Sequence, residues 1–514
     1  MRENKELVRM ENIVKRFPGV VANDHVNFEL KRGEIHALLG ENGAGKTTLM
    51  NILYGLYSLD EGRIIVKGKD ITYHSPKDSI KLGIGMVHQN LKLIPSHTVT
   101  ENIILGLDRP KFFLNLKEAE RRVKELAEKY GWRIDPKAKI WQLSVGEKQQ
   151  VEILKLLYRN ADILIMDEPT SVLTPQETKQ LFSSLRKMAK EGRGIIYITH
   201  KLDEVFAVCD RVTVMRKGRV VATKPVSETT KEELARLMVG RPVLFRIEKR
   251  EKPPGEIILE LRNVRALNDK GLLALKGISL NVRRHEILGI AGVAGNGQRE
   301  LAEVITGLRK VISGKVIIDG RDVTNKSPRK ILEEGVAFIP EERIGTGVVP
   351  NLTVAENLIL RTYRYKPFSN RIFLNFKSIF KHVDELIKRF DIVTPDRNLK
   401  AKFLSGGNIQ RVVIARELTG MPNQGLPKLI VAVHPTRGLD VGATEYVRNA
   451  LIRCRNAGSA ILLISEDLEE IMSMSDRIAV IYEGEIMGVL PQTQAKVEDI
   501  GLMMGGVPLK EIRK

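Results

Sequence analysis

One Gly-rich pattern occurs twice in this chain, and the repetition limits its fold more than any other feature. The first copy, Gly40-Glu41-Asn42-Gly43-Ala44-Gly45-Lys46-Thr47, is a complete G-x-x-x-x-G-K-[ST] phosphate loop, with Thr48 next. The second copy, Gly292-Val293-Ala294-Gly295-Asn296-Gly297-Gln298-Arg299, keeps the glycines and loses the Lys and Thr. The register holds without gaps around both. Gly55 pairs with Gly307, Gly62 with Gly314, Gly68 with Gly320 and Gly83 with Gly335. Two copies in 514 residues are too long to be solenoid units of about 20–50 residues, so they read as two fused domains. The charged, proline-stiffened run Glu248-Lys249-Arg250-Glu251-Lys252-Pro253-Pro254-Gly255 marks the join. The expected division is a domain at 1–242, a linker at 243–256 and a second domain at 257–514.

Each half alternates apolar runs with helical patterns. Glu34–Leu39 reads as a buried strand leading into the loop, and a helix follows from Thr48 to Tyr54. Ile163–Met166 and Ile195–Thr199 read as further buried strands, with a helix at Pro175–Lys190 between them. This is an α/β pattern, a mostly parallel sheet flanked by helices. Residues 115–130 and 143–159 read as helices of a side subdomain. The turn-rich insertion Met421–Pro427 belongs on the surface.

The first half places phosphate chemistry around its loop. Backbone N–H groups at the opening of a helix cradle phosphates, Lys46 reaches the β/γ-phosphates, and Thr47 ligates Mg²⁺. The strand at 163–166 ends in Asp167-Glu168, read as two exposed acids. Asp167 would support the Mg²⁺ shell, and Glu168 would orient or deprotonate the attacking water. His200 ends the next strand, within reach of a γ-phosphate. Gln89 is placed to touch Mg²⁺ and water, and Phe17 to stack on adenine.

Composition narrows the class. A hydrophobic fraction of 43% with 28% charge is ordinary for a soluble protein. No apolar run approaches the ~18–20 residues of a membrane span, and the N-terminus has no signal-peptide pattern, so a membrane role would be peripheral. Two cysteines, Cys209 and Cys454, make no disulfide framework and suit a reducing cytosol. The +20 net charge is scattered, which favours a solvated surface first, lipid proximity second and nucleic acid last.

Two further loops complete a set. They are Leu143-Ser144-Val145-Gly146-Glu147 and Leu404-Ser405-Gly406-Gly407-Asn408. With the phosphate loop, Gln89, Asp167-Glu168 and His200, the chain resembles ABC-type ATPases over its whole length, twice. The resemblance implies two P-loop ATPase domains packed head to tail, with each ATP between one domain's phosphate loop and the other's signature loop. One site then combines Lys46, Thr47, Gln89, Asp167, Glu168 and His200 with Ser405, Gly406, Gly407 and Asp440. The other collects every departure. It has Gln298 and Arg299 in the loop, Glu341 at the place of Gln89, and Val433-His434 at the acidic pair. Glu466 stands at the place of His200 and Asp269 at that of Phe17, and the signature side offers Ser144–Glu147 and Thr174. The expectation is one hydrolytic site using ATP and Mg²⁺ and one that does not hydrolyse, with phosphate binding by Arg299 left open.

Within that family, the fused asymmetric arrangement resembles importers of nucleosides and of monosaccharides. Pro435–Ala443 suits both groups. Val433-His434, Leu143–Glu147 and Val151–Lys155 are more similar to the nucleoside group, with monosaccharide import the alternative. A soluble tandem ATPase acting on ribosomes or nucleic acid is a remote third, since such proteins keep both phosphate loops intact. The resemblance further implies two integral-membrane permease subunits, an extracytoplasmic substrate-binding lipoprotein and no nucleic acid. The chain would sit peripherally on the cytoplasmic face of the cell membrane and dock through residues near 90–140 and 342–400.

Overall fold

The computed structural model describes residues 6–89, 91–107, 115–170, 173, 175–240, 249, 252–370, 372–420 and 425–513. Thr174, most of the expected linker and 421–424 lie outside the described residues. The chain divides into two compact units, residues 1–243 with 440–442 and residues 244–439 with 443–514.

In the first unit a six-stranded sheet is built around Ile35–Leu39, whose five residues are all buried. Gly194–Thr199 and Arg211–Arg216 flank it in parallel, and Ile163–Asp167 and Ile84–Val87 follow outward. Arg219–Pro225 closes the other edge antiparallel. The apolar runs are explained by burial on both faces. Ile35, Ala37 and Leu39 enter one core, while Leu38 enters another beneath a second sheet.

That second sheet was not expected. It has four antiparallel strands, with Val20–Lys31, Glu6–Phe17, Glu61–Val66 and Lys69–Asp70 in spatial order. The mostly parallel sheet is therefore only part of each unit's strand architecture. Bulges break the alternation of Glu6–Phe17, which hides its period in the sequence. Gly62 shows why the repeat keeps its glycine. Its φ is +111°, and a Cβ there would lie 2.6 Å from the carbonyl oxygens of Glu11 and Asn12. Gly314 meets the same obstruction from Arg262 and Asn263 at 2.5 and 2.3 Å.

The second unit repeats both sheets. Ile287–Ala291 is central, between Ala460–Ser465 and Arg477–Tyr482, with Leu429–Val433 and Val336–Ile339 beyond. Helical segments cap each unit. Leu116–Lys129 and Val145–Tyr158 lie in the first, and Phe376–Arg389 and Gly406–Leu418 in the second. Cys209 and Cys454 are buried free thiols. Among the described residues, no helix is long and apolar enough to cross a membrane.

Candidate functional site

The phosphate loop leaves the strand Ile35–Leu39 and ends at Gly45, whose φ of +97° turns the chain into the helix Lys46–Leu53. A Cβ at Gly45 would lie 2.3 Å from the Ala22 carbonyl oxygen, so only glycine makes this turn. No side chain caps this helix and its first turn carries no acid. Its N-terminal N–H groups and positive field therefore suit an anion. Lys46 is buried, and its Nζ donates to the carbonyls of Gly40 at 2.7 Å and Glu41 at 2.9 Å. Burial pulls its pKa below the lysine range, against the opposing charges of Glu168 and Asp167. Asn42 and Gly43 are exposed, Ala44 is buried, and Thr48 is half-buried in the helix's first turn.

Next to the loop, the strand Ile163–Asp167 delivers its two acids. They are not exposed as expected. Asp167 is buried, and burial raises its pKa to about 6 with help from Glu168, while Lys46 and a Thr47 hydrogen bond act against the rise. Glu168 sits at φ +47°, an uncommon conformation for a non-glycine residue. Its side chain is gripped from two directions. His200 Nδ1 lies 2.8 Å from Oε1, and Gln89 Nε2 donates to Oε2 at 3.3 Å. Burial works to raise Glu168, but the His200 hydrogen bond and the neighbouring positive charges hold it below the usual glutamate range. Such a carboxylate is ionised and aimed, as a water-activating base must be. Phe17 ends its strand exposed, with its ring edge-on to Tyr57 at 5.6 Å between centroids.

The donor set also bears on a metal. Among the described residues, no cluster of three or more His, Cys, Asp or Glu is arranged to hold one. The Thr47 hydroxyl, the Asp167 carboxylate and the Gln89 amide are hard oxygen donors beside a phosphate loop. That set fits Mg²⁺, which is commonly held by one or two protein groups together with substrate phosphates.

The second unit keeps the backbone and replaces the chemistry. Gly297 repeats the loop turn at φ +101°, and His434 repeats the strand-end conformation at φ +43°. Gln298, like Lys46, bonds to the loop itself, but it brings no charge. Its Nε2 donates to the Val293 carbonyl at 2.9 Å, and its Oε1 accepts the Asn296 N–H at 3.1 Å. Arg299 is paired with Glu303 at 2.8 Å and with Asp269 at 3.4 Å. Arg309 ties the same two carboxylates. A phosphate would have to displace these carboxylates from Arg299. Glu300 also puts an acid into the first turn of this helix, where Thr48 stands in the first unit. That signal was present in the sequence and missed.

The acidic pair is replaced in a specific way. Glu168 and His200 face one another in the first unit, while the equivalent positions hold His434 and Glu466. The two residue types have changed places. His434 Nδ1 accepts the Glu466 backbone N–H at 3.4 Å, and burial holds its pKa down despite the charges of Glu466 and Glu341. Glu341 is ion-paired with Arg437. Val433 is buried and brings no ligand.

The two signature loops differ just as sharply. Ser144 opens the helix Val145–Tyr158 in a capping box, and Glu147 Oε2 accepts the Ser144 N–H at 2.7 Å. Glu177 adds a second carboxylate, so close that a Cβ at Gly146 would lie 2.1 Å from it. This helix end already holds its anions. Ser405 opens the helix Gly406–Leu418, whose first turn has no acid. Asn408 replaces Glu147, donating to Ser405 Oγ at 3.1 Å and accepting from Val393 at 2.9 Å. The neighbour of Gly407 is the Ala443 methyl, at 3.6 Å from a built Cβ, rather than a carboxylate. Gly406 and Gly407 thus present an end open to anion binding. Asp440 stands just before the helix Val441–Ala457.

Comparison with known proteins agrees with this geometry. Residues 23–171 and 275–424 match the ABC transporter family. The chain is 49% identical to the nucleoside import ATP-binding protein of Lactococcus lactis subsp. cremoris, covering 99% of this chain and 100% of that one. It is 48% identical to the guanosine import ATP-binding protein of Bacillus subtilis, over 99% of each chain. It is also 48% identical to the glucose import ATP-binding protein of Haloferax volcanii, covering 97% of this chain and 96% of that one.

Proposed function

The chain belongs to the ABC transporter family as an ATP-binding, ATP-hydrolysing subunit, and from that premise we propose that it energises nucleoside import through separate membrane permeases. The observation that carries the hydrolytic part is the Glu168 carboxylate, held by His200 and Gln89 beside a loop that retains its lysine. In this reading Glu168 takes a proton from the attacking water, while His200 fixes its orientation and faces the terminal phosphate. Lys46 and the helix N–H groups offset the charge of the phosphates. Thr47, Gln89 and Asp167 would hold Mg²⁺, which neutralises charge on the phosphates when bound.

We infer further that Ser405, Gly406, Gly407 and Asp440 serve the same ATP as Lys46, whereas the Gln298 loop powers nothing. The open signature end fits a phosphate, and the end crowded by Glu147 and Glu177 repels one. Ser405→Arg is expected to cut hydrolysis at least about tenfold more than Ser144→Arg, because it blocks a charge-stabilising contact at the first site alone. The reverse order would sink the assignment.

Nucleosides are favoured as cargo by the relatives of Lactococcus and Bacillus, and by Val433-His434 in place of an acidic pair. The Haloferax relative gives monosaccharide import as the second reading. The subunit would work from the cytoplasmic face of the membrane with two permeases and an extracytoplasmic substrate-binding lipoprotein. Residues 1–242 and 257–514 would act as its two ATPase domains. Uptake of labelled nucleosides and glucose by the reconstituted complex separates the readings. ATP-dependent uptake of glucose and not nucleosides would overturn the first.

A further inference from the structure

A buried carboxylate outside the set above ties its parts together. Glu204 lies on the helix Leu202–Val208 and is almost inaccessible to solvent. One oxygen accepts from the Thr170 hydroxyl and faces Lys201 Nζ at 3.2 Å. The other accepts from Tyr197 OH and Thr199 Oγ1, each at 2.9 Å. A buried charge persists when it is paired and hydrogen-bonded, and four donors achieve that here.

The placement of those donors is informative. Thr170 follows Glu168 by two residues, and Thr199 and Lys201 bracket His200. Glu204 therefore clamps the two chain segments whose side chains meet in the 2.8 Å Glu168–His200 contact. The second unit supplies an internal comparison. Glu470 holds the equivalent place, buried, and accepts from Thr436 at 2.7 Å. Leu463 and Asp467 replace Tyr197 and Lys201, so two of the four donors are gone, and the cation beside Glu470 is instead Arg448, whose Nε stands 4.0 Å away. Burial pushes Glu470 upward in spite of its bonds to Thr436 and Ser465. A clamp needed only for folding would keep its donors in both units. This one is complete only where the catalytic pair is intact.

We propose that Glu204 is a positioning residue for ATP hydrolysis, holding Glu168 and His200 in register through Thr170 and Thr199. The proposal rests on the hydrolytic reading above. The test uses the full-length chain in its membrane complex. Glu204→Gln keeps the shape, removes the charge and is expected to lower kcat about tenfold, with KM for ATP within about twofold. In a His200→Ala background the same change should cost less than about twofold, because the pair it positions is already broken. Glu470→Gln, equally buried, should leave kcat within about twofold. Should Glu204→Gln fail to fold, Thr199→Val removes one donor and is expected to show the same dependence on His200. Equal losses in both backgrounds, or equal losses from Glu204→Gln and Glu470→Gln, overturn the proposal. Lys46→Ala distinguishes the two levels. If it leaves hydrolysis intact, the hydrolytic reading itself fails. If it abolishes hydrolysis while Glu204→Gln is silent, only the positioning role fails.

Discussion

At the end of one strand in each unit, the same backbone bond holds a different residue. Glu168 N–H donates to the Ile198 carbonyl at 3.0 Å, and His434 N–H to Ile464 at 2.8 Å. Both residues take the left-handed conformation. Around Glu168 stand His200, Gln89 and a buried Asp167. Around His434 stand Glu466, Glu341 and Val433. The scaffold is therefore separable from the chemistry. A strained strand end is a property of this fold, and only the side chains decide whether it activates water. Losses in the second unit are also mutually adjusted. Gln298 satisfies its own loop, Arg299 is neutralised by Glu303 and Asp269, and Glu341 is answered by Arg437.

The most damaging way to break this comparison is to disarm the loops one at a time. Lys46→Ala is expected to lower ATP turnover at least about a hundredfold, because it removes a charge on the transferring phosphoryl group. Gln298→Ala should leave turnover within about twofold. Steady-state ATPase assays on the assembled complex decide, and equal losses would mean that both units hydrolyse.

A smaller effect sharpens the contrast between signature ends. Asn408→Glu installs in the second unit the capping acid of the first. Turnover should fall about tenfold from the added negative charge, while the new cap stabilises the fold by up to about 1 kcal/mol. Glu147→Asn should do the opposite in kind, costing up to about 1 kcal/mol of stability with turnover unchanged. Thermal denaturation alongside kcat separates the two quantities. A variant of Asn408 that hydrolyses normally would remove the electrostatic distinction.

The smallest expected change concerns the base. Phe17→Ala should raise KM for ATP about fivefold, the worth of one aromatic contact, with kcat nearly constant. Asp269→Ala, at the equivalent position, should leave KM where it is. A rise in both would show that the second unit takes part in ATP binding.

Much of this was legible in the chain. Lys46, Asp167, Glu168 and His200 lie at strand ends or helix starts, where short apolar runs and glycines announce them. Gln89 and the signature serines follow from register with those. What stayed hidden depends on partners far along the sequence. Glu204 reads as the polar face of a short helix, and its burial is set by Thr170, which lies in a different loop. The acids at 147 and 177 are separated by most of a helix and a strand, so their meeting at Gly146 has no local signature. The antiparallel sheets escaped because bulges at Asn12 and Asn263 interrupt their two-residue period. The exchange of Glu and His was visible letter by letter, but only the facing geometry turns two substitutions into one event.

The bonds of Lys46 within its own loop set a threshold for that loop. A lysine already engaged by the Gly40 and Glu41 carbonyls is not a bare cation that collects any passing anion. An incoming group must replace both bonds while also filling the helix N–H groups, which a polyphosphate chain does far better than a single small anion. The loop is thus selective on entry, a property a repeatedly fired motor needs from the part that holds its fuel.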